Sequence, residues 1–416
     1  MSGCLILTVS PGALLGPVDE AGRLVALAVA REGVPIASRQ VVDEDEPAVE
    51  AALRQGLEGH RLTVVLNATG GSAGETVRRV LARLTGTRLV LNEGLLAAFE
   101  KARARRGQAM PRRLDRLALL PQGATLWSVD DDQVSWLLET AHGAVAVLPQ
   151  ASAALSVVVT RNLVPFARER FAGREVVLLR TLRVVGVAPG DAEARLGNWL
   201  RPESPVGVSC LPMEGEVWVR LRARDSSLAL AEAALGEVEA QVVEVLGADC
   251  YGRDQESLEV VVGRLLLERR LTLSVAESCT GGLLSHRITN VPGASAYFER
   301  GVVVYSNQAK EELLDVPREL LIAHGAVSGP VAEAMARGIC RKTGTPLGLG
   351  VTGIAGPDGG TPAKPVGTVY VALATADGAR ARRFSFAGGR EAIKWESTQV
   401  ALDILRRRLL QLEERW

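Results

Sequence analysis

Aromatic residues are scarce in this 416-residue chain: they make up 4% of it, beside only four histidines and five cysteines. Each shortage excludes something. With so few rings, Val, Leu and Ala must fill the cores, as parallel α/β sheets prefer. The histidines (His60, His142, His286, His324) have no ligand-like spacing, which argues against a His-rich metal centre. The cysteines (Cys4, Cys210, Cys250, Cys279, Cys340) are scattered, odd in number and without a CxxC pair. That suits a reducing cytosol better than a disulfide scaffold or a zinc site. Neither sign of charge is in excess, since 48 basic and 48 acidic residues cancel. No global polycation exists to bind nucleic acid by counterion release. The arginine-rich stretch Lys101–Arg116 reads as a solvated helix face and loop. No uncharged apolar run approaches the ~20 residues of a membrane helix. Met1–Leu15 is apolar but lacks a basic leader, so it reads as a first strand rather than a signal peptide. A cytoplasmic protein with no membrane or nucleic-acid partner is expected.

The length suggests two or three domains. Strand-like runs at Cys4–Val9, Pro35–Val42 and Leu62–Leu66 alternate with helical spacing at Glu20–Glu32, Glu46–Leu57 and Glu75–Leu84. Turns are expected at Gly12–Pro17 and in the glycine-rich Ala68–Gly74. This β-α-β-α order predicts a parallel sheet with crossover helices. A smaller α+β module follows: strand Val176–Val187, helix Ala192–Leu200, strands near Val206–Leu211 and Val217–Arg224, and helix Leu228–Leu246. Asp249–Asp254 reads as a linker. The last domain opens with helix Leu258–Arg269. Strands follow at Leu271–Ala276, Gly301–Tyr305, Leu347–Thr352, Thr368–Ala374 and Ala381–Phe386, with helices at Gly282–Thr289, Gly329–Arg341 and Arg390–Leu410. The division is therefore 1–172, 173–250 and 251–416.

Chemistry concentrates in the last domain. Ser274-Val275-Ala276-Glu277 ends a strand and runs into Ser278-Cys279-Thr280-Gly281-Gly282, a small-residue turn before a helix. Amides at a helix start lack intrahelical partners and sit at the positive end of the dipole, so they can hold an anion or an oxyanion. The alternative is that Ser278 or Thr280 simply caps the helix. Tyr305-Ser306-Asn307 leads to Lys310. A serine beside a neutral lysine can attack an amide without histidine or metal, but the lysine must be desolvated or lie near a cation. Tyr305–Asn307 also fits an ordinary strand end. Val351-Thr352-Gly353-Ile354-Ala355-Gly356-Pro357-Asp358-Gly359-Gly360 follows a strand and offers backbone amides at Thr352 and Gly353, although Pro-Asp-Gly-Gly is equally a common turn. Arg390, opening the C-terminal helix, suits a phosphate or carboxylate or is merely exposed.

In order along the chain, Ala276–Gly282, Val291-Pro292-Gly293-Ala294-Ser295, Tyr305–Asn307 with Lys310, His324-Gly325-Ala326-Val327-Ser328, Val351–Gly360, Lys364–Tyr370 and Gly388–Arg390 closely resemble the C-terminal domain of the CinA family. That domain is also found alone as the PncC amidohydrolases. The resemblance implies an α/β/α deamidase domain that hydrolyses nicotinamide mononucleotide to nicotinate mononucleotide and ammonia, without cofactor or metal. It implies Ser278 as nucleophile, with Cys279 the rival. Lys310 would be the base, and Tyr305 would position Lys310 or the substrate ring. Cys279, Thr280, Gly281, Thr352 and Gly353 would lie around the substrate and oxyanion, and Arg390 near the phosphate. A homodimer is also implied.

The first domain resembles the family's molybdopterin-binding-like partner domain through Leu14-Leu15-Gly16, Thr69-Gly70-Gly71, Arg105-Arg106-Gly107 and Leu119–Thr125. Family members have been linked to metal-dependent ADP-ribose pyrophosphatase activity. Here the paired aspartates are absent: Gly71 is followed by Ser72-Ala73-Gly74-Glu75-Thr76. Trp127–Trp136 reads as an acidic turn, and Leu148-Pro149-Gln150-Ala151-Ser152 replaces a Leu-Pro-Gly-Val-Pro stretch. A metal-bound pyrophosphate needs hard oxygen ligands, so this domain is expected to keep its fold without hydrolase activity, unless Glu75, Asp19 or Glu20 substitutes. The middle module resembles a KH-like domain without its GXXG loop, which suggests a structural or dimer-forming spacer. Two rival readings for the chain are a competence- or DNA-damage-linked scaffold that binds a recombination protein, and a nucleotide-binding protein that releases no ammonia.

Overall fold

The computed structural model describes residues 2–10, 19–67, 71–107, 116, 118–130, 133–141, 143–150, 152–173, 176–200 and 206–412. The expected Gly12–Pro17 turn, the Leu14-Leu15-Gly16 motif, Thr69-Gly70, Ala151 and most of the arginine-rich stretch beyond Gly107 lie outside the described residues. Two compact units result, residues 1–179 with 222–236, and residues 180–221 with 237–416.

In the first unit, β1 (Ser2–Val9), α1 (Glu20–Arg31), β2 (Ile36–Val42), α2 (Glu46–Gly59), β3 (His60–Asn67) and α3 (Gly71–Leu84) alternate as the sequence suggests. Next come β4 (Leu89–Leu91), α4 (Glu93–Arg105), β5 (Leu119–Pro121), β6 (Thr125–Asp130), β7 (Gln133–Thr140) and β8 (Gly143–Pro149). Helices α5 (Ser152–Val158) and α6 (Val164–Phe171), joined by the π-helical turn Val159–Leu163, follow them. The sheet runs β2-β1-β3-β8-β7-β6. It is parallel across β2, β1, β3 and β8 but antiparallel at β7 and β6. The sheet is therefore mixed, not parallel throughout. The segment read as an acidic turn is a pair of antiparallel strands. Its two tryptophans lie within them, with Trp136 buried in the core. The run of aspartates drew attention away from the apolar alternation on either side.

The middle segment forms a four-stranded sheet, β10-β11-β9-β12, from β9 (Val176–Val184), β10 (Val206–Met213), β11 (Glu216–Asp225) and β12 (Cys250–Arg253). Helices α7 (Pro189–Leu196) and α8 (Leu228–Leu246) complete it. The expected linker Asp249–Asp254 is instead the end of a tight turn followed by β12, which pairs antiparallel with β9. Its polar residues are there for ion pairs: buried Asp249 accepts from Arg407 at 2.6 Å and Arg195 at 2.9 Å.

The rest of the second unit is a three-layer α/β/α domain. It contains α9 (Leu258–Arg269), β13 (Leu273–Glu277), α10 (Leu283–Thr289), β14 (Phe298–Val303), α11 (Asn307–Leu314), α12 (Arg318–His324), α13 (Gly329–Thr343), β15 (Leu347–Gly353), β16 (Thr368–Thr375), β17 (Gly378–Ser385) and α14 (Arg390–Leu409). Its sheet order is β14-β13-β15-β16-β17. Strand alternation assigns the two faces. Val275, Leu349, Val351 and Val371 pack with Val262 and Leu266 of α9, and with Leu402 and Leu405 of α14. Ala276 packs with Val331 and Met335 of α13, and Ala372 and Ala374 with Ala332 and Ala336. The second face is built from small residues because α13 lies close to it. A Cβ on Gly348 would lie 2.6 Å from the Ala336 carbonyl oxygen, and one on Gly350 would collide with the Ala332 carbonyl.

Strand β13 has a parallel neighbour on each side, β14 before the crossover and β15 after it. Its carboxyl end is thus a topological switch point, where open α/β sheets leave a crevice. Ser278 occupies that position. Replacing Gly350 by Val should lower stability by about 1–3 kcal/mol or more, because backbone on α13 must move. Denaturant unfolding measures this, and a wild-type midpoint would contradict the close helix approach.

Candidate active site

Ser278 follows the last residue of β13. Its amide donates to the Val351 carbonyl at 2.9 Å, which extends the sheet by one residue and fixes the serine backbone. By strand alternation Glu277 faces the α9, α10 and α14 layer, while Ser278 faces the layer of α11 and α13. Lys310 meets it there. Ser306 caps α11 by accepting from the Ala309 amide at 3.0 Å, which places Lys310 in the first turn, pointing inward. No helix is expected here from the sequence, although a capping serine before a polar run was available as its signal. The strand-end alternative for Tyr305–Asn307 does not hold, since β14 stops at Val303 and the helix starts at Asn307.

The Lys310 Nζ lies 3.2 Å from Ser278 Oγ, 2.8 Å from the Val304 carbonyl and 3.4 Å from the Tyr305 carbonyl. The lysine is only 1% exposed and the serine 8%. Burial pushes the Lys310 pKa down from the ordinary lysine value, with the Cys279 thiol opposing in small part. Among the described residues no carboxylate pairs with Lys310. A neutral amine has two N–H bonds and one lone pair. The two carbonyls match the former and the serine hydroxyl matches the latter.

The remaining predicted residues are distributed unevenly. Cys279 is buried among the apolar residues of the core, and desolvation pushes its thiol up to about 12. That makes its side chain a poor nucleophile beside Ser278. Thr280 is fully buried, and its hydroxyl has no hydrogen-bond partner among the described residues. Gly281 adopts φ +62° and donates to the Ser278 carbonyl at 3.1 Å, closing the turn under the serine. The Thr352 hydroxyl donates to the Ala326 carbonyl at 2.9 Å and so ties down the His324–Ser328 segment. Val351 presents its carbonyl to Ser278, whereas Ile354 donates to Thr368 in β16. Backbone groups alternate sides along a strand. The Gly353 amide therefore points past the end of β13 on the Ser278 side, and the Thr352 amide points to β16. Tyr305 is 62% exposed, and its phenol does not contact Lys310; only its carbonyl does. The phenol oxygen accepts from Arg390 at 3.0 Å, and Arg390 also donates to the Gly356 carbonyl at 2.7 Å. Both acceptors are neutral, so neither cancels the guanidinium charge.

One residue carried no role in the sequence reading. Glu277, 0% exposed, accepts from the amides of Gly282 and Leu284, both at 3.0 Å, and from the Ser285 amide at 2.8 Å. Its carboxylate is the anion at the start of α10, so those amides are not open to an oxyanion. Neither Ser278 nor Thr280 caps the helix through its side chain. An acid closing the apolar strand Leu273–Glu277, one step from the turn, was the available signal.

In the first unit, Asp19 is committed to structure. It accepts from the Gly22 amide at 2.8 Å and from Thr8 at 3.0 Å, and pairs with Arg39 at 2.9 Å.

Protein comparisons are consistent along the chain. The CinA C-terminal domain model matches residues 255–409, the damage-inducible protein CinA KH domain model residues 179–252, and the molybdopterin binding domain model residues 5–212. A CinA-like protein of Geobacter metallireducens is 37% identical over 407 residues, 97% of this chain and 98% of the relative. A CinA-like protein of Gloeobacter violaceus is 35% identical over 98% of this chain and 97% of its own length. Among solved structures, the CinA superfamily protein of Klebsiella pneumoniae is 34% identical, covers 37% of this chain and 96% of that chain, and has a TM-score of 0.36.

The buried amine links stability to pH. An unfolded lysine titrates near 10.4, and Lys310 titrates lower when folded. Between the two values the unfolded chain binds the extra proton, so stability rises with pH across that window. Below it both states are protonated, and the fold carries the whole burial penalty. The stability advantage of Lys310→Met over the parent should therefore be greatest below that window and decline as pH rises through it toward ~10. Denaturant unfolding at several pH values measures this, and a difference independent of pH would contradict it.

Proposed function

We propose, from the premise that the chain belongs to the CinA family, that its C-terminal domain hydrolyses the carboxamide of nicotinamide mononucleotide. The products are nicotinate mononucleotide and ammonia. The observation that carries this reading is the 3.2 Å approach of a buried lysine nitrogen to a serine hydroxyl at the switch point of the sheet. The lowered Lys310 pKa supports a neutral amine in the working state.

Ser278 Oγ attacks the carboxamide carbon while its proton passes to Lys310 Nζ. The Gly353 amide is directed where it can donate to the oxyanion of the tetrahedral intermediate. Collapse breaks the C–N bond, and the Lys310 ammonium protonates the departing nitrogen, releasing ammonia and leaving an acyl ester on Ser278. Water then attacks the ester with Lys310 again accepting a proton. The same proton returns to Ser278 Oγ as the carboxylate leaves. Arg390, whose two hydrogen-bond acceptors are neutral, suits the phosphate of the mononucleotide, with the Tyr305 ring beside it as a face for the pyridine. Metal and cofactor have no role in these steps.

Ammonia release from nicotinamide mononucleotide by the purified full-length chain tests this reading. Ser278→Ala and Lys310→Met should each lower kcat by about 10²–10⁴-fold or more, whereas Cys279→Ala should retain activity. Nucleotide binding without ammonia release by the parent chain, or full activity in Ser278→Ala, would overturn it.

A further inference from the structure

The nucleophile and the helix that follows it are held by a side chain on the opposite face of the sheet. Both oxygens of Glu277 are saturated with donors. One accepts from the Gly282 and Leu284 amides, each at 3.0 Å. The other accepts from the Ser285 amide at 2.8 Å and the Ser285 hydroxyl at 2.6 Å. Among the described residues no cation pairs with this carboxylate; the exposed amides at the start of α10 and a hydroxyl replace one. The residues between Glu277 and those donors are Ser278 to Gly281. The clamp thus closes a loop with the nucleophile inside it, and Gly281 and Gly282 supply the left-handed turns, at φ +62° and +96°, that the short path requires. The backbone of Glu277 is itself fixed, since its carbonyl accepts from the Val304 amide at 2.8 Å. Val304 also provides the carbonyl that holds Lys310. Residue 277 therefore joins the serine turn, through its side chain, to the segment that anchors the base, through its carbonyl.

We propose that Glu277 is a positioning residue for Ser278: its carboxylate fixes the 278–282 turn so that the serine oxygen stays within proton-transfer distance of Lys310. It acts through the backbone and does not touch the reacting atoms. The proposal rests on the Ser278–Lys310 reading above. A neutral amide at 277 would set an NH₂ group against two donors and open the turn on that side. A shift of about 1 Å at a nucleophile costs on the order of 10²-fold in rate.

The test uses the full-length chain with Glu277→Gln and Ser285→Ala, the latter removing one of the four bonds, at a temperature where both remain folded by denaturant titration. Two readouts are taken: steady-state ammonia release from nicotinamide mononucleotide, and labelling of Ser278 by an aryl sulfonyl fluoride, followed by peptide mass spectrometry. Glu277→Gln should lose about 10²-fold in kcat with little change in KM, and should label Ser278 slower in proportion. Ser285→Ala should show a smaller loss of the same kind. A general structural defect would instead raise KM and lower the unfolding midpoint together, and that outcome counts against the proposal. Wild-type kcat and labelling in Glu277→Gln overturn it. If that variant does not fold, Ser285→Ala decides, by slowed labelling in support or parental labelling against. If the parent chain labels at Ser278 but releases no ammonia, the substrate assignment fails, and the labelling series alone still decides the role of Glu277.

Discussion

An amine buried away from water and from every described carboxylate is the constraint on which the C-terminal domain depends. Lys310 is held by two backbone carbonyls and a serine hydroxyl, a set that satisfies a neutral amine but offers no negative charge to an ammonium. Elsewhere in the same unit, buried basic groups are treated differently. Arg407 pairs with Asp403 and Asp249, Arg406 pairs with Asp403, and Arg287 pairs with Glu259. Those guanidiniums are structural and their charges are offset. Burying Lys310 without a carboxylate partner lowers its pKa at some expense in stability, which is compatible with the proposed role as a base.

The surrounding architecture serves that arrangement. Small residues on one face of the sheet let α13 approach closely, and the glycines of β15 belong to that packing. Ser278 directly follows β13 at the switch of strand order, the position at which open α/β sheets bind ligands. On the other face, Arg287 of α10 donates to Thr398 and Gln399, stacks over Trp395 at 4.1 Å, and so fastens the helix after Ser278 to α14. Trp395 in turn donates to the Glu214 carbonyl at 3.0 Å, in the turn between β10 and β11. The middle segment and the C-terminal domain therefore share a polar joint.

Much of this was legible in the sequence because local patterns and tertiary context agree there. Leu347–Thr352, Thr368–Ala374 and the helices at 258–269, 329–341 and 390–410 form close to where they are expected. The misread pieces are those in which long-range pairing overrides composition. Asp249–Asp254 looks polar enough for a linker, yet its acids pair with arginines distant in sequence, and the segment joins a sheet. The pairing of β6 with β7 was hidden by the aspartates between them. At the site, residue types were readable but directions were not. The sequence offered the amides of α10 to an oxyanion, while folding gives them to Glu277. The resemblance has Tyr305 position Lys310 or the substrate ring; its carbonyl lies against Lys310 and its phenol against Arg390.

The chain contains only five lysines, so each can be resolved in a single spectrum. The most direct measurement is a pH titration of the ¹³Cε resonances in protein labelled at lysine, with Lys310 assigned by Lys310→Met. The account requires Lys310 to titrate below the ordinary lysine value of about 10.4, as its burial demands. Titration of Lys310 at or above the ordinary lysine value of about 10.4 would contradict it.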